Sequence, residues 1–286
     1  MSKMTSSQLY NPIFIIGAAR SGTTLLGEIL SYHDDLAYWL EPKYIWRYGN
    51  PGAKDDFRPK SDASNKVSQY IQKRFSHFTK SQDKSRFLEK TPSNCFRIEF
   101  INAIFPNARF IHIIRNGEDV WRSAFKKWTS KPAQSALWRR LTSNEIPLSE
   151  LAYYGGAFIR DVVGRNLYPD RGFIWGPAFP DMAAYRKTHN IELCCAKQWV
   201  ESVEYAQKGF QNIESDRVFT LRYEDLINDP RSTVSPLLSF LGLSSDSLID
   251  FASQHIRSGH QRLPQKSITA EAKKMIQPLQ KVLGYE

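Results

Sequence analysis

Residues 12–30, PIFIIGAARSGTTLLGEIL, constrain the fold of this chain more than any other stretch. Ile13–Ile16 is an unbroken apolar run, the pattern of a strand buried on both faces. Gly17-Ala-Ala-Arg-Ser-Gly22 follows, small residues around one cation, and Thr23-Thr24 opens an apolar helical stretch. Strand, small-residue loop and helix N-terminus in that order make an anion cradle. Free backbone N–H groups and the positive end of the helix dipole converge on one point, and glycine lets the backbone approach it closely.

Spacing narrows the anion. A Walker A loop reads G-x4-G-K-[ST], and its lysine reaches the terminal phosphates of a nucleoside triphosphate. Gly17 and Gly22 keep that spacing, but Thr23 stands where the lysine belongs and the cation has moved inside the loop, to Arg20. The stretch therefore reads as a relative of the P-loop built for another group.

The surrounding chain has the grammar of a parallel sheet. Arg86–Lys90 is a strand candidate closed by Thr91-Pro92, with Ser93 placed to cap a helix to about Phe105. Arg109–Arg115 (RFIHIIR) is a second buried strand, turning at Asn116-Gly117 into a helix to about Trp128. Val218–Tyr223 is a further strand, and Pro236–Leu241 lies in a helix that Gly242 ends. Helical periodicity also marks 67–78 and 192–209. This predicts α/β architecture, with helices on both faces and strand-end loops on one edge. Residues 1–11 read as a flexible lead-in, 50–66 as loop, and 129–190 as an irregular insertion. The tail past Ser253 reads as a basic loop, with Arg257, Arg262 and Lys266 closing over something anionic. We expect a single domain over 1–286.

At 41% apolar and 13% aromatic residues the chain is globular rather than disordered, and its net charge of +10 points to an anionic partner. Three cysteines, two of them adjacent (Cys194 and Cys195), supply neither a disulfide framework nor a zinc spacing. That suits a reducing compartment. The first residues lack an apolar core of a leader and no window is long enough to span a membrane. The expected location is the cytoplasm, and no metal is expected.

A second constellation suits a phosphate. Arg115 ends the strand RFIHIIR and Ser123 follows eight residues later on the next helix, which brings a hydroxyl back towards a guanidinium. The alternative for Arg115 is a surface pair with Glu118 or Asp119.

The loop with its Arg-Ser-Gly-Thr-Thr run, Glu89-Lys90-Thr91-Pro92, the Arg115…Ser123 pair and Tyr223-Glu-Asp-Leu226 resemble, in that order, the motifs of sulfotransferases that use 3′-phosphoadenosine 5′-phosphosulfate (PAPS). The layout is similar to that of the tyrosylprotein sulfotransferases. The resemblance runs from residue 12 to about 241. It implies a P-loop-like three-layer α/β/α fold with a central parallel sheet and helical insertions, and transfer of a sulfuryl group to a hydroxyl or amine.

It implies further that Arg20, Ser21, Gly22, Thr23 and Thr24 hold the 5′-phosphosulfate, and that Arg115 and Ser123 hold the 3′-phosphate. Lys90 neutralises the oxygens in transfer, the alternative being an exposed pair with Glu89. Glu41, twenty-one residues after Arg20, is the candidate base, with its pKa expected to rise by desolvation. His33 and His112 are its rivals, His112 reading as core. Tyr223 lines the nucleotide pocket or simply packs. Arg257, Ser258 and Lys266 are candidates for the 3′-phosphate, although Arg257-Ser258-Gly259 departs from the Arg-Lys-Gly of the cytosolic branch. The aromatics Tyr153, Tyr154, Phe158, Tyr168, Phe173, Trp175 and Phe179 mark the acceptor side. A P-loop small-molecule kinase and a basic nucleic-acid-binding module are the competing functions. Acceptor and oligomeric state stay open.

Overall fold

The computed structural model describes residues 9–130, 175–259 and 267–285. Its centre is a five-stranded sheet built from β1 (Ile13–Ile16), β2 (Leu36–Leu40), β3 (Arg86–Lys90), β4 (Arg109–Ile114) and β5 (Val218–Arg222), in the order β2-β3-β1-β4-β5. Every pairing is parallel. All strand C-termini therefore share one edge. The chain leaves β1 towards β2 on one side and β4 towards β5 on the other, so the switch point of the sheet lies between β1 and β4.

Side-chain alternation splits the core in two. Phe14, Ile16, Phe87 and Phe110 face one layer, where they meet Trp46, Phe75, Phe100, Trp121 and Trp199. That layer is made by α2 (Lys43–Trp46), α3 (Asn65–Ser81), α4 (Ile98–Ile104), α5 (Gly117–Thr129), α6 (Met182–Thr188) and α7 (Ile191–Phe210). Ile13, Ile15, Leu88, Ile111 and Ile113 face the other. Helices α1 (Thr23–Ser31), α8 (Tyr223–Asn228), α9 (Pro230–Leu241) and α10 (Asp246–Gly259) cover it. The four β1 side chains are wholly buried, about 2 kcal/mol each by area removed from water. This is the expected α/β/α architecture.

Several local expectations change. Leu36–Leu40 is a strand that the aromatic run around it did not reveal. Ser93 caps no helix: residues 92–96 form a 3-10 turn, α4 starts at Ile98, and the Ser93 hydroxyl donates to Asp56 Oδ2 at 2.7 Å. The lead-in is anchored from Leu9 onward, because that side chain is buried and the Asn11 carbonyl accepts from Arg86 Nε at 2.6 Å. The tail is not a loop past Ser253. Helix α10 runs on to Gly259, and α11 (Ala270–Val282) buries Ala272 and Ile276 in the first layer.

Of the acceptor-side aromatics, Phe179 is buried core and Trp175 packs against it. The other five lie outside the described residues. Among the described residues no helix is long and apolar enough to cross a membrane.

Candidate active site

The loop after β1 and the loop after β4 meet at the switch point. Gly22 sits at the N-cap of α1 with φ 89°, and no side chain caps that helix. Its first N–H groups therefore face the loop without a side-chain acceptor, the arrangement that favours an anion. Ser21 and Thr23 are buried, Thr24 half-buried. Arg20 also adopts a left-handed conformation, φ 74°, uncommon for a residue with a side chain.

Arg20 Nε donates to Ser123 Oγ at 2.9 Å, and Arg115 Nη1 donates to the Arg20 carbonyl at 3.0 Å. The Arg115 guanidinium lies 4.0 Å over the Tyr223 ring. Loop, strand tip, helix hydroxyl and tyrosine thus form one cluster. Desolvation and then the Arg115 charge lower the Arg20 pKa, so two like charges crowd a spot that a bound anion would neutralise. Glu118 and Asp119 pair with Arg122, which leaves them out of the contact first considered for Arg115.

Tyr223 closes against the loop. A Cβ on Gly22 would stand 2.2 Å from Tyr223 Cδ2, so the glycine is required by contact as well as by φ.

The second cluster lies at the ends of β2 and β3. Lys90 is buried and donates to Glu41 Oε1 at 2.8 Å, while Lys43 Nζ lies 3.1 Å from Oε2. The pairing of Ile15 with Lys90 puts the lysine on the strand next to the cradle, on the face that α1 covers. The expected rise in the Glu41 pKa is overturned. Burial pushes it up, but Lys43 and Lys90 outweigh burial and hold it at about 2. Glu41 has φ 55°, the second candidate in the left-handed region.

Glu89 is no exposed partner for Lys90. Strand alternation turns it to the other face, fully buried, where Oε1 accepts from Trp46 Nε1 (3.2 Å) and Thr91 Oγ1, and Oε2 accepts from Asn94 Nδ2 (2.5 Å). The sequence reading missed Lys43, Trp46 and Asn94. Only Lys43 carried a signal, a cation two residues past the carboxylate.

The histidines are elsewhere. His112 is buried, its ring tilted against Phe210, and burial lowers its pKa to about 4. His33 lies before β2 and accepts from the Asp35 N–H at 3.1 Å. It is separated from the strand-end edge by the five-residue strand, roughly 17 Å. Arg257 and Ser258 belong to the last turn of α10, with side chains outside what the structure describes, and Lys266 lies outside the described residues.

Comparison with known proteins accords with this arrangement. The model of the Sulfotransferase family matches residues 12–170 and 177–247. A protein-tyrosine sulfotransferase of Drosophila melanogaster is 21% identical over 241 residues, covering 80% of this chain. The match takes in 37% of that relative, so the chain spans little more than a third of its length. Among solved structures, the sulfotransferase domain from the curacin biosynthetic pathway superposes with TM-score 0.53 at 15% identity, over 98% of this chain and 99% of that one. The sulfotransferase domain of the Synechococcus PCC 7002 olefin synthase gives TM-score 0.51 at 16% identity, over 98% and 96%. These likenesses show the fold, and the family match spans both strand-end loops and the helices behind them: the chain belongs to the sulfotransferase family.

Proposed function

We propose that the protein transfers a sulfuryl group from PAPS to a hydroxyl or amine acceptor. The observation that carries this reading is the hydrogen bond between Arg20 and Ser123, which joins the two anion-binding motifs across 103 residues of sequence. A donor with anionic groups at both ends needs two such motifs. In this reading the loop amides, with Ser21, Thr23 and Thr24, grip the 5′-phosphosulfate, Arg20 faces its oxygens, and Arg115 with Ser123 takes the 3′-phosphate. Tyr223 supplies an aromatic face beneath Arg115. By the resemblance, Arg257, Ser258 and Lys266 stay candidates for a further contact to the 3′-phosphate.

Transfer is an in-line displacement at sulfur. The acceptor oxygen or nitrogen forms a bond to sulfur as the bond between sulfur and the bridging oxygen breaks, and the electron pair leaves on the phosphate of adenosine 3′,5′-bisphosphate. Lys90 and Arg20 stabilise the charge that accumulates there. Glu41 takes the acceptor proton. With Lys90 and Lys43 on it, Glu41 is a weak base. A sulfonate that draws Lys90 towards itself removes one of the two charges holding the carboxylate low, so base strength rises when donor is present. Three buried cysteines outside any disulfide fit a cytoplasmic setting.

Calorimetric titration with adenosine 3′,5′-bisphosphate, Mg-ATP and a short single-stranded oligonucleotide tests the reading. Micromolar binding of the bisphosphate alone is the expected result. Preference for Mg-ATP would establish a kinase, against which the missing lysine at Thr23 argues. Salt-sensitive preference for the oligonucleotide would establish a nucleic-acid module.

A further inference from the structure

Glu41 and Lys90 act together only if the segments that leave two neighbouring strand ends hold their relative positions; sheet pairing reaches Leu40 and Lys90 but does not extend into those segments. Glu41 N–H donates to the Lys90 carbonyl at 2.9 Å. Beyond that bond the chain turns through Pro42 into α2, a helix of four residues without a side-chain cap. Glu41 itself has a left-handed φ of 55°, a conformation that persists where neighbours over-determine it. Something else must fix the segment.

Glu89 does so from the opposite face of the sheet. Its carboxylate is wholly buried, a costly position for a charge unless each oxygen is satisfied. Oε1 accepts from the indole of Trp46, five residues beyond Glu41, and from the hydroxyl of Thr91, next to Lys90. Oε2 accepts from Asn94 Nδ2 at 2.5 Å. Arg97, also buried, lies with its guanidinium 5.5 Å over the Trp46 ring and contributes favourable charge to Glu89. Trp46 is packed against Phe14, Phe75 and Phe100, so anchoring its indole anchors α2. Resting on the reading of Glu41 and Lys90 as the reacting pair, we propose that Glu89 is the positioning residue of this site. Its carboxylate ties the Trp46 segment behind Glu41 to the Thr91–Asn94 segment behind Lys90, and so sets the 2.8 Å between the pair.

The geometry supplies its own control. Asn94 Oδ1 is buried without a partner. In Glu89→Gln the remaining oxygen can accept from Trp46 and Thr91, and a flip of the Asn94 amide offers Oδ1 to the new Nε2 donor. Glu89→Gln therefore keeps the tie, whereas Glu89→Leu keeps bulk and loses every hydrogen bond. The expected result above neutral pH is a split. Glu89→Leu lowers the rate of sulfuryl transfer to a simple phenol, or to water, about 100-fold, the scale of a 1 Å misplacement. It leaves adenosine 3′,5′-bisphosphate affinity within about twofold, because the cradle stands on β1 and β4. Glu89→Gln stays within about threefold of wild type in both. Lys90, shielded in wild type, becomes labelled by an amine reagent in Glu89→Leu but not in Glu89→Gln, read by peptide mass spectrometry.

Should Glu89→Leu fail to fold, Trp46→Phe deletes one donor and keeps the ring; about a tenfold fall in rate with faster Lys90 labelling is expected. The proposal is overturned if Glu89→Leu keeps wild-type rate and Lys90 protection, if Glu89→Gln falls as far as Glu89→Leu, if bisphosphate affinity falls in step with rate, or if Trp46→Phe changes neither readout. Failure of the wild type to bind bisphosphate would sink the donor reading instead, and Lys90 labelling would still judge the tie.

Discussion

Lys90 Nζ and Glu41 Oε1 stand 2.8 Å apart at the tips of two neighbouring strands, the lysine almost wholly buried and the glutamate side chain 30% exposed. The asymmetry predicts unequal damage when either is removed. Glu41→Gln strands a buried ammonium and should cost about 2 kcal/mol, less than a fully buried pair would because Glu41 keeps solvent contact. Lys90→Met fills the same space without a charge and should cost less. Both should lower sulfuryl transfer by about 100-fold or more while bisphosphate affinity holds. Melting temperatures and turnover of the two variants check this; a Glu41→Gln enzyme with undiminished turnover removes it as the base.

The contact of Gly22 with Tyr223 makes a sharper steric prediction. Gly22→Ala must hold φ 89° and place a carbon 2.2 Å from Tyr223 Cδ2. Gly242 has φ 68° with nothing within 4 Å of its Cβ direction, so Gly242→Ala carries the conformational cost alone, about 1–2 kcal/mol. Gly22→Ala should lose more stability and, because Tyr223 must move from under Arg115, weaken bisphosphate binding by tenfold or more. Equal effects of the two substitutions on binding would show that the Tyr223 contact is irrelevant to the site.

Much of this arrangement was legible in the chain, for identifiable reasons. Four strands announced themselves, β1 and β4 as apolar runs cut off by Gly17 and by Asn116-Gly117, β3 by the Thr91-Pro92 that closes it, and β5 as a short β-rich run. The sequence paired Ser123 with Arg115, and only the fold shows that its hydroxyl accepts from Arg20. The strand Leu36–Leu40 was hidden. It is an edge strand, exposed towards its end, and its aromatics blend into the following Tyr44 and Trp46. Helix α11 was masked by its polar composition and by Pro278. The pKa of Glu41 was misjudged in sign because apolar neighbours in sequence suggested desolvation. Two charges outweigh that burial: Lys43 stood two residues on in the chain and was passed over, and Lys90 arrives from a strand 49 residues away. Glu89 looked like a surface partner of Lys90 because adjacency in sequence conceals that strand alternation sends the two to opposite faces.

Three titratable groups, Glu89 and His112 buried and Glu41 partly so, predict an unusual dependence of stability on pH. Glu41 is held at about 2 against an ordinary 4.5, so the unfolded chain protonates first and stability falls as pH drops from 4.5 towards 2. His112, lowered by burial to about 4 from 6.5, acts in the same sense, losing stability as pH falls from 6.5 to 4. Glu89 acts in the opposite sense. Burial, against hydrogen bonds from Thr91 and Trp46, the Arg97 charge and the Asn94 bond, pushes it up to about 7. The folded state then protonates first, and the contribution is fullest below 4.5 and lost as pH rises to 7. Between 4.5 and 6.5 His112 and Glu89 offset each other. Wild-type stability should be nearly level there, whereas Glu89→Gln should become more stable with rising pH and His112→Asn less. Melting temperatures measured across that window decide it; parallel curves for all three proteins would refute the assignment.

The last prediction concerns the strap that α11 and the residues after it lay across the strand tip of β4. Tyr285 Oη donates to Glu224 Oε2 at 2.8 Å, and Glu224 Oε1 accepts the backbone N–H of Asn116 at 3.0 Å. Gln280 Oε1 accepts the N–H of Gly117 at 3.2 Å. Arg222 donates to the Leu283 carbonyl at 2.6 Å and lies 4.6 Å over the Tyr285 ring. Burial and the Glu224 carboxylate raise the Tyr285 pKa, which keeps the phenol protonated and donating. The residue directly before Asn116 is Arg115, so the strap braces the backbone that carries the proposed 3′-phosphate contact. Tyr285→Phe removes one hydrogen bond, worth about 1 kcal/mol net, and should weaken bisphosphate affinity about fivefold. The rate at saturating donor should hold, because Glu41 and Lys90 stand on the far side of β1. Glu224→Gln, which loses an acceptor for either Tyr285 or Asn116, should weaken binding at least as much. Calorimetry with the bisphosphate separates the possibilities: unchanged affinity in both variants would mean that the strap stabilises the fold without shaping the nucleotide site.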